Sequence, residues 1–295
     1  MKPANSPTSE AITLSTSDGY PLSATLYHPA PFSSSPQHRV LVAAALGVPQ
    51  RYYAPFCSWL AGRGHTVMSF DLRGIGASLP KGQSLRDVEA TMLSWARVDF
   101  AAAVDALCAR TGEKQISVIG NSLGAQHAGM GNLATQQKIR KIVSVAAGAG
   151  YWRDWAKPSR RAAPLMFYLA GPLLTPLFGY FPGKRLGMVG NLPQGVMQQF
   201  SRWCRHPQFA WGAEPDLLVP SLQSASYPIH AVSFTDDEAM TEACTRKLFA
   251  AHPNAPATIQ VINPKEVGVK RIGHLGAFRQ ELQTALWPHI ADSLD

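Results

Sequence analysis

Ile116-Ser117-Val118-Ile119-Gly120-Asn121-Ser122-Leu123-Gly124 decides how the rest of this chain is read. A short apolar run, suited to a buried strand, leads straight into G-x-S-x-G, and an apolar stretch containing Ala and Gly follows that suits a helix. Between strand and helix this pattern is a nucleophile elbow. The turn is so tight that the serine sits in strained backbone and its flanking positions must be small. An ordinary Gly-rich turn also matches five letters, so the weight falls on what lies downstream.

An elbow serine needs a histidine base and a carboxylate, in the chain order serine, acid, histidine. The apolar run Ile229-His230-Ala231-Val232-Ser233-Phe234 ends in Thr235-Asp236-Asp237-Glu238. Further on, Thr258-Ile259-Gln260-Val261-Ile262 reads as a strand and is followed by Gly273-His274-Leu275-Gly276. Each candidate stands in the loop after a predicted strand, and in an open parallel sheet those loops gather at one edge. Ser122, His274 and one of Asp236 and Asp237 are therefore the candidate triad. Thr235-x-x-Glu238 also has the form of a capping box, so one of the two aspartates is free to cap the helix that follows. His65, His127 and His230 are read as non-catalytic, since they fall at a strand start, in the elbow helix and within a strand.

From about Ala11 to its C-terminus the chain resembles the α/β-hydrolase superfamily. Besides the elbow, the resemblance rests on three places. Asp71-Leu72-Arg73-Gly74-Ile75-Gly76-Ala77-Ser78 is similar to the D-x-R-G-x-G-x-S turn common after the fourth strand. Gly273-His274 matches the terminal Gly-His pair, and Leu46-Gly47 follows the strand-like Val40–Ala45, where many relatives carry His-Gly. Tyr52-Tyr53-Ala54-Pro55-Phe56 and Ile272-Gly273-His274 are similar to a bacterial branch known only as serine hydrolases.

The resemblance implies a mostly parallel central sheet flanked by helices, a helical cap insertion, and no metal or organic cofactor. It also implies an oxyanion hole made by the backbone N–H groups of Leu123 and Val48. For the acid it points two ways. Relatives often carry a proline four residues after it, and Thr241 holds that place relative to Asp237. They also often carry a glycine three residues before it, and counting from there selects Asp236, with Ser233 in the glycine's place. Asp237 is taken as the acid, with Asp236 left open.

A length of 295 residues accommodates one large α/β domain with an insertion, and 46% apolar residues suits a globular core. The expected division is a flexible N-terminus over 1–10, a core over 11–147 and 228–295, and a cap over 148–227. Met1 to Glu10 is Ser/Pro-rich with no apolar segment, so no signal peptide is expected and the cytoplasm is the expected location. Cys57, Cys108, Cys204 and Cys244 lie far apart without zinc-ligand spacing and read as reduced core thiols.

Within the cap, Ala162 to Pro182 carries no charge. Pro164, Gly171, Pro172, Pro176 and Gly179 argue for short, Pro-separated helices over one membrane span. Of the net charge of +8, nearly all falls between Tyr151 and Gly212, where eight basic residues face Asp154 alone. Four tryptophans, Trp152, Trp155, Trp203 and Trp211, lie in the same window. The rest of the chain is nearly balanced, which excludes a general nucleic-acid binder. Gly74-Ile75-Gly76 lacks the third glycine of a dinucleotide fingerprint, and Gly179 to Arg185 has neither the spacing nor the Ser/Thr of a phosphate-binding loop.

Together these readings predict a serine hydrolase that cleaves a carboxylic ester or thioester with an apolar part. The expected partner is a small ester or acyl compound, with peripheral membrane contact through the basic, Trp-rich cap. Two alternatives remain: an acyltransferase using the same triad, and a non-catalytic membrane-surface or binding protein on the same fold.

Overall fold

The computed structural model describes residues 7–29, 38–188 and 190–295. Among the described residues ten strands run in chain order as β1 (Thr8–Ser15), β2 (Pro21–His28), β3 (Arg39–Ala43), β4 (Thr66–Phe70), β5 (Ile116–Asn121), β6 (Ile139–Val145), β7 (Tyr180–Phe181), β8 (Leu192–Pro193), β9 (Ile229–Phe234) and β10 (Ala257–Ile262). Eight of them form one sheet in the order β1-β2-β4-β3-β5-β6-β9-β10, and the short β7 and β8 pair with each other. β2 pairs antiparallel with both β1 and β4, and every pairing from β4 to β10 is parallel.

The central strands are apolar because they are covered on both faces. All six residues of β5 and the last four of β3 are buried. On one face lie the helix Ala54–Gly62 and the C-terminal helix Gln283–Ala291, where Phe56, Phe278 and Trp287 meet edge to face. The other face carries the helical stretch Met92–Thr111 with Trp95, Phe100 and Leu107 in its core. Parallel strands with right-handed crossovers bring the C-terminal ends of β3, β5, β9 and β10 to one edge.

Two expectations are corrected. The N-terminal strand starts at Thr8, inside the segment read as flexible, because Thr8 to Ser15 finds a full antiparallel partner in β2; residues 1–6 lie outside the described residues. Asp99, in the helical stretch Met92–Thr111, is buried and pairs with the buried Arg73 of the Asp71–Ser78 turn. Lys157 to Phe178 is one helix rather than several: Lys157–Pro164, Leu165–Ala170 and Gly171–Phe178 join with helical backbone at each junction, and the middle stretch is π-helical. Pro158 stands in the first turn, where its missing N–H costs nothing, and the wider π turns lie between Pro164 and Pro172. Among the described residues no helix is long and apolar enough to cross a membrane.

Candidate active site

Ser122 follows directly on β5 and opens a short 3₁₀ turn, with φ at 51°. A non-glycine residue in the left-handed region is strained, and here its neighbours impose the strain. A Cβ on Gly120 would stand 2.3 Å from the amide nitrogen of Ala125, and one on Gly124 would stand 2.1 Å from the Ala43 carbonyl oxygen. Only glycine fits either place, so the strand, the turn and the end of β3 close on each other and aim the serine out of the sheet edge.

His274 joins the serine to the acid. Its Nε2 lies 3.0 Å from Ser122 Oγ, and its Nδ1 lies 2.9 and 3.1 Å from the two carboxylate oxygens of Asp237. The Asp237 side chain is 1% exposed, and its Oδ1 also accepts the N–H groups of Ala239 and Met240. Those donors orient the carboxylate and stabilise its charge without solvent.

The adjacent Asp236 points elsewhere and accepts the backbone N–H groups of Ile272 (2.8 Å) and Gly273 (3.2 Å). The expected role of the spare aspartate as a helix cap is therefore corrected. Thr241 caps the next helix, Glu242–Ala250, by accepting the Cys244 N–H. Glu238 is no capping-box residue either: it accepts the His274 N–H and faces Arg271 at 3.4 Å. Burial pushes its carboxyl up, but the two backbone N–H groups, its own and that of His274, together with the Arg271 charge hold it below the usual range. Three consecutive acids thus hold one histidine loop.

Two tyrosines of the Tyr52-Tyr53-Ala54-Pro55-Phe56 stretch complete the frame, a role that their sequence pattern does not reveal. Tyr53 is fully buried; its hydroxyl accepts the Ala45 N–H and donates to Asn121 Oδ1, while Asn121 Nδ2 donates to the Val145 carbonyl. The residue before Ser122 is thereby tied to the loop after β3. Tyr52 donates to the Leu275 carbonyl and ties that same loop to the histidine segment. Asp71 accepts the Gln50 and Ala77 N–H groups, which joins the loop to the turn after β4.

Of the two expected oxyanion donors, Leu123 is the second residue of its turn, where an N–H has no acceptor within the helix. The other is corrected: the Val48 N–H donates to the Ala45 carbonyl at 3.0 Å, closing a turn over Leu46 and Gly47. Gly47 has φ at 70°, the left-handed conformation that such a turn requires at its third position. Among the described residues the Leu46 and Gly47 N–H groups have no acceptor.

The segment between β6 and β9 touches this site on two sides. The Ser159 hydroxyl donates to the Glu238 carbonyl, and the Ala156 N–H to that of Ala239. On the other side Gly190 packs against the Gly47 carbonyl, and Leu192 also reaches Gly47. An apolar recess of about 370 Å³ lies in this segment, lined among others by Trp155, Ser159, Ala163, Met166 and Leu186. A larger cavity of about 710 Å³ is lined by His38, Arg39 and Ser117 at the opposite ends of the strands, away from the serine. Among the described residues no group of His, Cys, Asp and Glu is placed to hold a metal ion.

Residues 40–281 match the model of the alpha/beta hydrolase family, and the chain belongs to that family of enzymes. No curated protein matches its sequence. Among solved structures it is similar to an esterase of Pyrococcus furiosus, with a TM-score of 0.56, 16% identity, and coverage of 97% of this chain and 91% of that one. A hypothetical protein from Pseudomonas aeruginosa aligns at a TM-score of 0.62 and 15% identity, covering 100% and 97% of the two chains. Est1E from Butyrivibrio proteoclasticus aligns at 0.57 and 12%, covering 96% and 97%. At these identities the likeness concerns the fold.

Proposed function

We propose that this chain is a serine hydrolase that cleaves carboxylic esters or thioesters through an acyl-enzyme. The observation that carries the reading is the hydrogen-bonded series Ser122 Oγ, His274 and Asp237, on a serine held in left-handed backbone. Ser122 Oγ attacks the acyl carbonyl carbon as His274 Nε2 takes its proton, and the tetrahedral intermediate expels the alcohol or thiol, which leaves with that proton. Water then gives a proton to His274, attacks the acyl-serine and releases the carboxylic acid, while Ser122 regains its hydrogen. Asp237 keeps His274 in the tautomer that accepts at Nε2 and stabilises the imidazolium that forms.

The negative oxygen is stabilised by the Leu123 N–H and by an unpaired N–H of the Leu46–Gly47 turn, in place of Val48. Residues 148–227 act as the cap, a reading supported by their contacts with both the acid loop and the Gly47 turn. The apolar recess behind Trp155 suits an acyl chain or an apolar alcohol. Four buried, unpaired cysteines suit a reducing compartment, the cytoplasm.

Labelling with a fluorophosphonate, followed by a panel of p-nitrophenyl esters from acetate to palmitate, tests the reading. Wild type should label and turn over esters, and Ser122→Ala should do neither. Labelling with no ester turnover unless an alcohol acceptor is added would mean acyl transfer instead. An inert serine in wild type would mean a binding protein on this fold.

A further inference from the structure

We propose that the exposed face of the Lys157–Phe178 helix docks on an anionic lipid surface and delivers an ester from it to the recess beneath. The substrate part of this statement rests on the hydrolase reading; the docking part does not.

Leu165, Tyr168, Leu169, Leu173 and Leu177 are each more than half exposed, and Pro172 and Pro176 are exposed between them. They follow one another along the outer side of a helix of roughly six turns. Leu186 and Met188 extend the apolar surface past the end of the helix, at 43% and 40% exposed. A soluble protein rarely leaves so many large apolar side chains together in water, and a contiguous patch of this kind marks a docking surface.

The charge around the patch says what docks there. Lys157, Arg160, Arg161, Lys184, Arg185 and Arg205 are all exposed, and among the described residues none has a carboxylate within ion-pair distance. Of the three acids in residues 148–227, Asp154 pairs with Lys247 and Glu214 with Arg202, and only Asp216 among these described residues is exposed without an ion pair. Arg205 lies over the Tyr168 ring and Arg185 over Phe178, so these guanidinium groups flank the apolar face. An apolar helix face bordered by uncompensated cations, with aromatic rings at the border, matches an anionic bilayer surface. A second copy of this chain would bring the same cations face to face and repel.

The face also connects to chemistry. Leu165, Leu186 and Met188 line both the exposed surface and the recess of about 370 Å³, whose inner wall includes Trp155 and Ser159. Ser159 is bonded to Glu238, the neighbour of Asp237. A chain leaving the lipid at this face can therefore enter an apolar path that ends beside the acid loop.

The test is co-sedimentation of the whole protein with phosphatidylcholine vesicles, with and without about one-third phosphatidylglycerol. Wild type should pellet with the anionic vesicles and be released at high salt. Leu169→Glu/Leu173→Glu, which leaves the recess lining intact, should lower binding by about tenfold or more and leave p-nitrophenyl acetate turnover unchanged. Lys184→Gln/Arg185→Gln should weaken binding by more than about tenfold at low salt only. Ser122→Ala should bind vesicles as wild type does, so that loss of the hydrolase reading and loss of docking are separate results. Three outcomes overturn the proposal: no sedimentation of wild type, equal binding by the Leu169→Glu/Leu173→Glu variant, or a wild-type dimer in light scattering that this variant dissolves.

Discussion

Asp236 and Asp237 are neighbours in the chain and hold the same loop at different atoms. Asp237 takes the His274 ring at Nδ1, while Asp236 takes the backbone N–H groups of Ile272 and Gly273 just before it. Successive residues leave the turn after β9 in different directions, so one carboxylate orients the imidazole and the other fixes where it hangs.

The two should separate on substitution. Asp237→Asn is expected to lower kcat by about 10⁴-fold with the melting temperature nearly kept, as a wrong-tautomer histidine does. Asp236→Asn should cost about 1–3 kcal/mol of stability through weakened N–H acceptance and lower kcat far less. Steady-state kinetics and thermal melts of both variants check this, and a fully active Asp237→Asn enzyme contradicts it.

Ser122→Gly should abolish turnover and also raise stability by about 1 kcal/mol, because glycine holds φ at 51° without the strain serine carries there. Ser122→Ala should abolish turnover without that gain. Chemical denaturation of the two, side by side, reads the difference; equal midpoints would mean the elbow stores no strain.

Tyr53→Phe removes a hydroxyl that serves the Ala45 N–H and Asn121 Oδ1 together, leaving two buried groups unpaired. The expected cost is about 1–3 kcal/mol for each group left without a partner. Because both partners adjoin Ser122 and the Leu46–Gly47 turn, kcat should fall more than KM changes.

Arg73 donates to Asp99 and to Asp18, joining the turn after β4 to the long helix and to the first hairpin. Burial works against the guanidinium charge, but the two carboxylates outweigh it and hold Arg73 protonated; its hydrogen bond holds the Asp18 carboxyl well below the usual range. Asp99→Ala should destabilise the protein by about 3–5 kcal/mol, since Asp99 is fully buried and its loss leaves Arg73 short of a counter-charge. Asp18→Ala, at the half-exposed end, should cost about 1 kcal/mol. Denaturation midpoints give both values, and equal losses would mean that burial does not govern this network.

Burial lowers the pKa of His127 to about 3 and of His65 to about 4, and lowers that of His252. In the unfolded chain each returns to about 6.5. Below that pH the unfolded state takes up protons that the folded state refuses, so stability is full above pH 6.5 and falls as pH drops toward 4 and then 3. Both ring nitrogens of His127 lack partners. His127→Leu should therefore leave neutral-pH stability equal or higher and flatten the acid limb of a melting-temperature profile between about pH 6.5 and 4. An unchanged acid limb would remove His127 as a cause.

Much of this protein could be read in one dimension. The strand run before Gly120, the two glycines that no Cβ could replace, and the order Ser122, then Asp236 or Asp237, then His274 in loops after strands are local properties of chain geometry. Each follows from a nearby steric or periodic requirement. What the folded chain alone decided depends on partners distant in sequence. Asp99 is buried because Arg73 lies opposite it, which helical spacing within one segment does not register. Val48 gives its N–H to Ala45 because the chain turns over Leu46 and Gly47, so the free amides are the ones inside the turn. Lys157 to Phe178 continues as a single helix through its prolines, with π turns between Pro164 and Pro172, whereas sequence rules count each proline as a break. Asp236 and Asp237 look alike as letters; the position of the Ile272–His274 loop, brought beside them by the parallel pairing of β9 and β10, gave them different work.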